Sequence, residues 1–213
     1  MARNNYSVLG AFIGKVGPVT GFMRSGQNLI RTSTSTLKDP RTPLQLAQRE
    51  KINTCTRFIK TFSGTGFLNK TFPAYGHTGT GYNRAVSALM SRGLTGVYPG
   101  ITLNYQQVLL SKGRLPGAQN AKAVKKANNT IQFTFADNST NGIAAPDDTV
   151  ILVAYAPALQ QAIFTVQGGF RKDKKAVLNV AALKGQAVET WIGFLSADEK
   201  DASDSVWAGS LQL

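Results

Sequence analysis

Histidine, cysteine and paired carboxylates are the residues with which this chain could do chemistry, and they are scarce. A Ser-His-Asp or Cys-His nucleophile needs an imidazole base, and the single histidine, His77, lies in a Gly/Thr-rich stretch. The single cysteine, Cys55, falls on the apolar face of a predicted helix, where a thiol acts as a small buried hydrophobe. One Cys and one His are too few for a zinc site of about four such ligands, and no disulfide can form within the chain. Gly14-Lys15-Val16 has the outline of a phosphate loop. Its spacing from Gly10 is one residue short, however, and Val16 stands where a hydroxyl would hold Mg²⁺. Gly79-Thr80-Gly81 lacks the preceding strand and the third glycine of a dinucleotide loop, so it reads as a turn. Asp137, Asp147, Asp148, Asp198, Glu199, Asp201 and Asp204 all fall at predicted turns, where acids are solvated or cap the turn. Carboxylate pairs serve glycoside hydrolysis or calcium binding elsewhere, and Asp198–Asp204 is the candidate calcium cluster here. The expectation is a protein that is not an enzyme, with no catalytic residue, cofactor or metal.

Charge is the stronger signal. The chain has 24 Lys/Arg against 11 Asp/Glu, a formal balance of +13. Residues 1–127 hold 18 of the basic residues and only Asp39 and Glu50 as acids, whereas residues 128–213 hold 6 basic residues and 9 acids. Such asymmetry points to two functional surfaces. Lys15, Arg24, Arg31, Lys38, Arg41, Arg49 and Arg57 are the candidate residues for contacting a neighbouring subunit or phosphates. Tyr6, Phe12 and Phe22 interleave with some of the basic positions and could stack on bases. No helix-turn-helix, zinc-finger or RNP-type motif supports reading of base sequence, so backbone phosphate contact is the limit. No run approaches the ~18 apolar residues of a membrane span. The opening residues lack a signal-peptide cleavage pattern, which leads us to expect a cytoplasmic protein as synthesised, free of membrane and open to incorporation in a virion or assembled particle.

The elements that must position these residues are organised around Gly10–Phe62. Val19–Arg24 and Asn28–Thr34 read as a basic hairpin across Ser25-Gly26-Gln27, with Gly26 supplying the turn. A helix follows, with Thr42 as N-cap, Pro43 at the first position and Gln45 completing a capping box. Leu44, Ala47, Ile52, Cys55, Ile59 and Phe62 recur on one face of it. Gly64–Gly81 reads as loop, Tyr82–Arg92 as a short helix with Gly93 at C′, Tyr98-Pro99-Gly100 as a turn and Asn104–Leu110 as a strand. Leu115–Asn129 is small, polar and basic, and reads as a linker. Beyond it, strands are expected at Thr130–Ala136, Val150–Tyr155, Ile163–Gln167, Ala176–Val180, Val188–Ser196 and Ser205–Leu211, with Trp191 and Trp207 in their core. The fold class is α+β: a basic hairpin-and-helix region over 1–114, a linker over 115–129, and an immunoglobulin- or fibronectin-III-like β-sandwich over 130–213.

With these residues in place, the chain resembles a bacterial protein family widespread in Bacteroidota and known only as a domain of unknown function. The resemblance rests on Gly14-Lys15-Val16-Gly17 after Ala11-Phe12-Ile13, Ile30-Arg31, and Gln45-x-x-Gln48-Arg49. Leu110-Ser111-Lys112-Gly113-x-Leu115 and Ser203-Asp204-Ser205 before the final strand also carry it. It implies a basic N-terminal part followed by a β-sandwich, and a kinship with phage or phage-derived structural components. It brings no activity and no catalytic residues. Three functions remain: a structural subunit that self-associates or joins other structural subunits, as in a virion or tail; a nucleic-acid-binding or packaging protein that does not read sequence; and a sandwich module that recognises a protein or glycan.

Overall fold

The computed structural model describes residues 2–3, 12–32, 39–76 and 78–213. The chain forms two compact units, Met1–Thr42 and Pro43–Leu213. The first is a small antiparallel sheet of β1 (Ala2–Arg3), β2 (Gly14–Val16), β3 (Val19–Arg24) and β4 (Gln27–Thr32), in the order β1-β4-β3-β2. Ser25 and Gly26, both at positive φ, turn β3 into β4.

The second unit has three layers. Its centre is the antiparallel sheet β10-β9-β12-β13, formed by β9 (Thr149–Ala156), β10 (Gln161–Thr165), β12 (Ala187–Leu195) and β13 (Val206–Gln212). On one face lies the sheet β11-β8-β7, formed by β7 (Gln119–Lys126), β8 (Thr130–Ala136) and β11 (Lys175–Asn179). On the other lie α1 (Pro43–Lys60), α2 (Phe67–Thr71) and α3 (Gly81–Arg92). A two-strand ribbon of β5 (Leu94–Thr95) and β6 (Thr102–Leu103) adjoins α3.

β9 shows why the central sheet needs both covers. Val150, Leu152, Ala154 and Ala156 face the three-stranded sheet, while Ile151, Val153 and Tyr155 face the helices. A strand buried on both faces reads as a continuous apolar run rather than an alternation, and Val150–Ala156 is such a run. Trp191 therefore packs not inside the two-sheet stack but under the helices, against Phe58 and Tyr105. Each such fully buried large side chain stabilises the fold by roughly 1.5–3 kcal/mol.

The structure differs from the sequence reading at several elements. The linker over 115–129 is mostly strand β7: Ala121 and Ala123 point inward, whereas Lys122, Val124 and Lys126 point outward. Alanine as the inward residue leaves the alternation too faint to read. Compactness instead breaks between Thr42 and Pro43, so the hairpin and the helices of 1–114 fall in different units. Asn104–Leu110 is not a strand; Tyr105–Gln107 forms a 3₁₀ turn. Val108 and Leu110 are buried, and the Leu110 N–H bonds Ser205 Oγ at 2.8 Å rather than a neighbouring strand. Gly64–Gly81 contains helix α2, whose Phe67 and Leu68 complete the helical layer's core. On α1 only the C-terminal half covers the sheet, through Cys55, Phe58, Ile59 and then Phe62, while Leu44 is 84% exposed. Gly93 ends α3 at φ −89°, without the left-handed turn expected of it. Its role is close approach, because a Cβ there would strike Leu89.

Candidate functional site

The cross-strand register of the first unit places Lys15, Thr20 and Arg31 in one row, Phe22 and Leu29 in another, and Arg24 opposite Gln27. Directly paired residues share a face, so Lys15, Arg24 and Arg31 occupy one face together with Phe22. The Arg31 guanidinium sits 5.6 Å from the Phe22 ring centroid. The opposite face is apolar and carries Val16, Val19, Met23 and Ile30. Phe12 lies over it at Gly21, where a Cβ would collide with the Phe12 ring, and the Phe12 carbonyl accepts from Asn28 Nδ2 at 3.3 Å.

The remaining candidates do not join them. Arg41 lies 3.7 Å from Asp39 in an exposed pair. Lys38 lies outside the described residues, as does His77, so the Cys55–His77 pairing is not part of the described structure. Arg49 and Arg57 belong to α1 in the second unit. Both line a broad groove of about 840 Å³ between that helix and the Tyr98-Pro99 turn, with Glu50, Asn53 and Thr54 between them.

The two segments that carry the C-terminal part of the resemblance meet each other. Ser205 Oγ accepts from the Leu110 N–H, and the Ser205 N–H donates to Ser111 O at 3.0 Å. Ser203 Oγ accepts from the Phe194 N–H at 2.9 Å, and Leu115 pairs in parallel with Ser203. Gly113 passes so close to Ala202 that a Cβ would strike its carbonyl, and the Gly113 N–H donates to Asp204 Oδ1 at 3.2 Å. These serines and the glycine knot 110–115 to 202–205, satisfying backbone groups that no ladder reaches.

Carboxylates are likewise taken up one by one. Asp201 accepts from the Tyr75 hydroxyl and from the Arg114 and Ala202 N–H groups. Asp198 accepts from Ser196 Oγ and from the Lys200 N–H, which hold its pKa below the ordinary aspartate value. Glu199 lies 2.7 Å from Lys70. Among the described residues no three His, Cys, Asp or Glu side chains gather in a metal-binding group, so Asp198–Asp204 does not form the calcium cluster its spacing suggested. Burial raises the Cys55 thiol to about 11, far from a reactive thiolate.

Sequence reasoning missed a buried cation. Arg171 is wholly buried and lies 3.1 Å from Asp148, off the hydrogen-bond line. Its Nη1 donates to Asn138 Oδ1 at 2.6 Å and both terminal nitrogens reach Pro116 O. The guanidinium stacks 3.8 Å from the Phe194 ring centroid. Burial depresses the Arg171 pKa, and the Asp148 charge opposes that shift. The signal in the sequence was slight: an Arg beside a turn, with an acid 23 residues earlier.

A model of the family of unknown function DUF6266 matches residues 11–209. The chain belongs to that family. The family carries no assigned activity, and the match extends neither to a host nor to phage. No curated protein matches the chain. Among solved structures it is similar to the fibronectin type III domain of the human collagen alpha-1(XX) chain. Identity is 13%, over 48% of this chain and 87% of that domain, with a TM-score of 0.32. A likeness that loose carries no argument. Among the described residues no helix is long and apolar enough to cross a membrane.

Proposed function

We propose that the protein is a non-enzymatic structural subunit that self-associates through its N-terminal sheet. The observation that carries this reading is the exposure of apolar side chains in the described part of this sheet. Of residues 12–32 and 39–42, Leu29 is the one buried hydrophobic, while Ile13, Val16 and Met23 are 76%, 64% and 49% exposed. A small sheet is stable only when a face is packed, and a second copy seated on Ile13, Val16 and Met23 would extend that packing. Strand β2 is exposed at every residue and sits at the edge of its sheet, a ready template for strand addition from a second copy. A virion or tail component is the form of this proposal that the sequence resemblance suggests, and negative-stain images of the purified particle test that form.

The core test is light scattering of nuclease-treated protein. The full chain should be oligomeric, and Val16→Asp, a charge on the apolar face at the edge strand, should dissociate it with unchanged circular dichroism. A full chain that stays monomeric at all concentrations and salt levels refutes the proposal.

The shared face of Lys15, Arg24 and Arg31 beside Phe22 favours a second reading, contact with nucleic-acid phosphates. In that case log affinity falls linearly with log salt, at about −0.9 per phosphate neutralised on duplex DNA. The pair Arg24→Ala and Arg31→Ala separates the readings. Lost nucleic-acid binding with normal assembly supports phosphate contact, whereas assembly lost in nuclease-treated protein would put the arginine face, not the apolar one, at the interface.

A further inference from the structure

We infer that the second unit holds a binding site for a small organic anion, in the cleft where the α2–α3 connection, α3 and the 112–114 segment converge. The cleft encloses about 400 Å³, within the range of small-molecule sites. Its walls are apolar, built by Phe72, Pro73, Ala74 and Ala88, and its cations are Arg84, Lys112 and Arg114.

The cations are held without being neutralised. Arg84 donates through Nε and Nη2 to Phe72 O and through Nη1 to Gly79 O. Those bonds orient the guanidinium but leave its charge intact and two of its five N–H groups unused. Arg114 stacks its guanidinium 4.3 Å from the Tyr75 ring centroid, an arrangement that fixes the group and leaves its edge free. Among the described residues neither Lys112 nor Arg114 forms a salt bridge. The nearest carboxylates, Asp201 and Asp204, accept from the Arg114 and Gly113 N–H groups and keep their charge, so three cations stand against two acids.

The cleft is also built at a conformational cost. Tyr75 adopts φ +46°, unusual for a bulky residue. Gly113 is required because a Cβ would meet the Tyr75 hydroxyl at 2.5 Å and the Ala202 carbonyl. Strained positions persist where the surrounding structure over-determines them, and they concentrate at sites of function. Apolar walls with cations at one side select a ligand with an apolar body and a carboxylate or phosphate head.

Isothermal titration of the full chain with phenyl phosphate, benzoate, inorganic phosphate and benzyl alcohol tests this. We expect saturable one-to-one binding of at least one aromatic anion, with the two heads ranked by affinity. Inorganic phosphate should bind more weakly and benzyl alcohol not at all. The exposed pair Lys112→Ala and Arg114→Ala should weaken binding roughly tenfold or more, as expected for lost charge-assisted bonds. Ser87→Trp, on the cleft-facing side of α3, should block entry independently. Absence of saturable binding by either aromatic anion overturns the inference, as does affinity unchanged in both variants or equal binding of benzyl alcohol. None of these readouts depends on oligomeric state, so the site and the self-association proposal stand or fall separately.

Discussion

Replacing Asp148 by Asn tests what holds the two-sheet stack to its loops. The change keeps shape, and an amide oxygen can still accept the Ala145 N–H that Asp148 Oδ2 accepts at 3.0 Å. What disappears is the charge beside Arg171, which is wholly buried. Removing one partner of a buried ion pair costs about 3–5 kcal/mol, because the other charge is left uncompensated. Arg171 retains Asn138 Oδ1, Pro116 O and the Phe194 ring. Those contacts place the expected loss near the lower end, about 3 kcal/mol, still a large share of the ~5–15 kcal/mol typical of a domain. Urea unfolding followed by fluorescence of buried Trp191 and by circular dichroism measures it. The companion Arg171→Met should also destabilise, since it strands Asp148. The double variant should cost less than the sum of the two by about 1–3 kcal/mol, because no orphan charge remains. A loss under about 1 kcal/mol for Asp148→Asn, or strictly additive singles, would show that water reaches the pair and that the reasoning is mistaken.

Two other outcomes follow from titratable groups. Cys55 is fully buried with its thiol pKa raised to about 11, so a disulfide reagent should leave it untouched in the native protein and modify it in step with urea unfolding. Immediate modification would contradict the packing of α1. Burial, reinforced by the hydrogen bond to Asp201, raises Tyr75 to about 12, and burial with the charges of Tyr155 and Glu189 raises Tyr105 likewise. A phenol held protonated above its ordinary value of about 10 contributes stability that is complete below pH ~10 and is lost as pH rises through about 12. Ultraviolet titration should show late-ionising tyrosines, one fewer in Tyr75→Phe, and uniform ionisation near pH 10 would refute both assignments.

Strong local signals in the sequence survive into the structure. The expected strand Thr130–Ala136 matches β8, and Val150–Tyr155 lies within β9. Pro43 begins α1, and the expected helix Tyr82–Arg92 lies within α3, whose cap at Thr80 reads in the sequence only as a turn. Elements whose pattern is diluted were illegible. In β7 the inward residues are alanines and the outward ones Lys122, Val124 and Lys126, a composition shared with linkers; its one local cue is the turn at Asn128 and Asn129, both left-handed. The short α2 has too few residues to show a period. The helical cover over Trp191 was hidden for another reason: a residue's burial does not say which of two faces buries it. The cleft cations were invisible because Arg84 and the 112–114 segment meet only through α2 and the segment after it, Arg84 bonding Phe72 O and the Lys112 N–H bonding Thr71 O.

The charge asymmetry takes a different meaning once the units are known. Six of the 24 Lys/Arg and one of the 11 acids fall in residues 1–42, which leaves 18 against 10 in residues 43–213. Both units are therefore basic, and the acidic stretch 128–213 shares its unit with twelve Lys/Arg of residues 43–127. Lys122, Lys126 and Lys175 all project from the outer face of the three-stranded sheet, on strands that the register aligns through Thr134 and Thr130. Apart from Glu50 in α1 and Glu189 in β12, the acids of this unit sit in turns and loops, where protein donors already engage several of them. Attraction between oppositely charged halves of neighbouring copies is thus a poor source of assembly energy, and exposed ion pairs are individually worth only ~0–1 kcal/mol. If copies of this chain associate, exposed backbone along β2 and the exposed apolar side chains of Ile13, Val16 and Met23 must supply the drive. Assembly held that way should tolerate high salt and yield to a single charge placed on that apolar face, whereas assembly through phosphates should behave in the opposite manner.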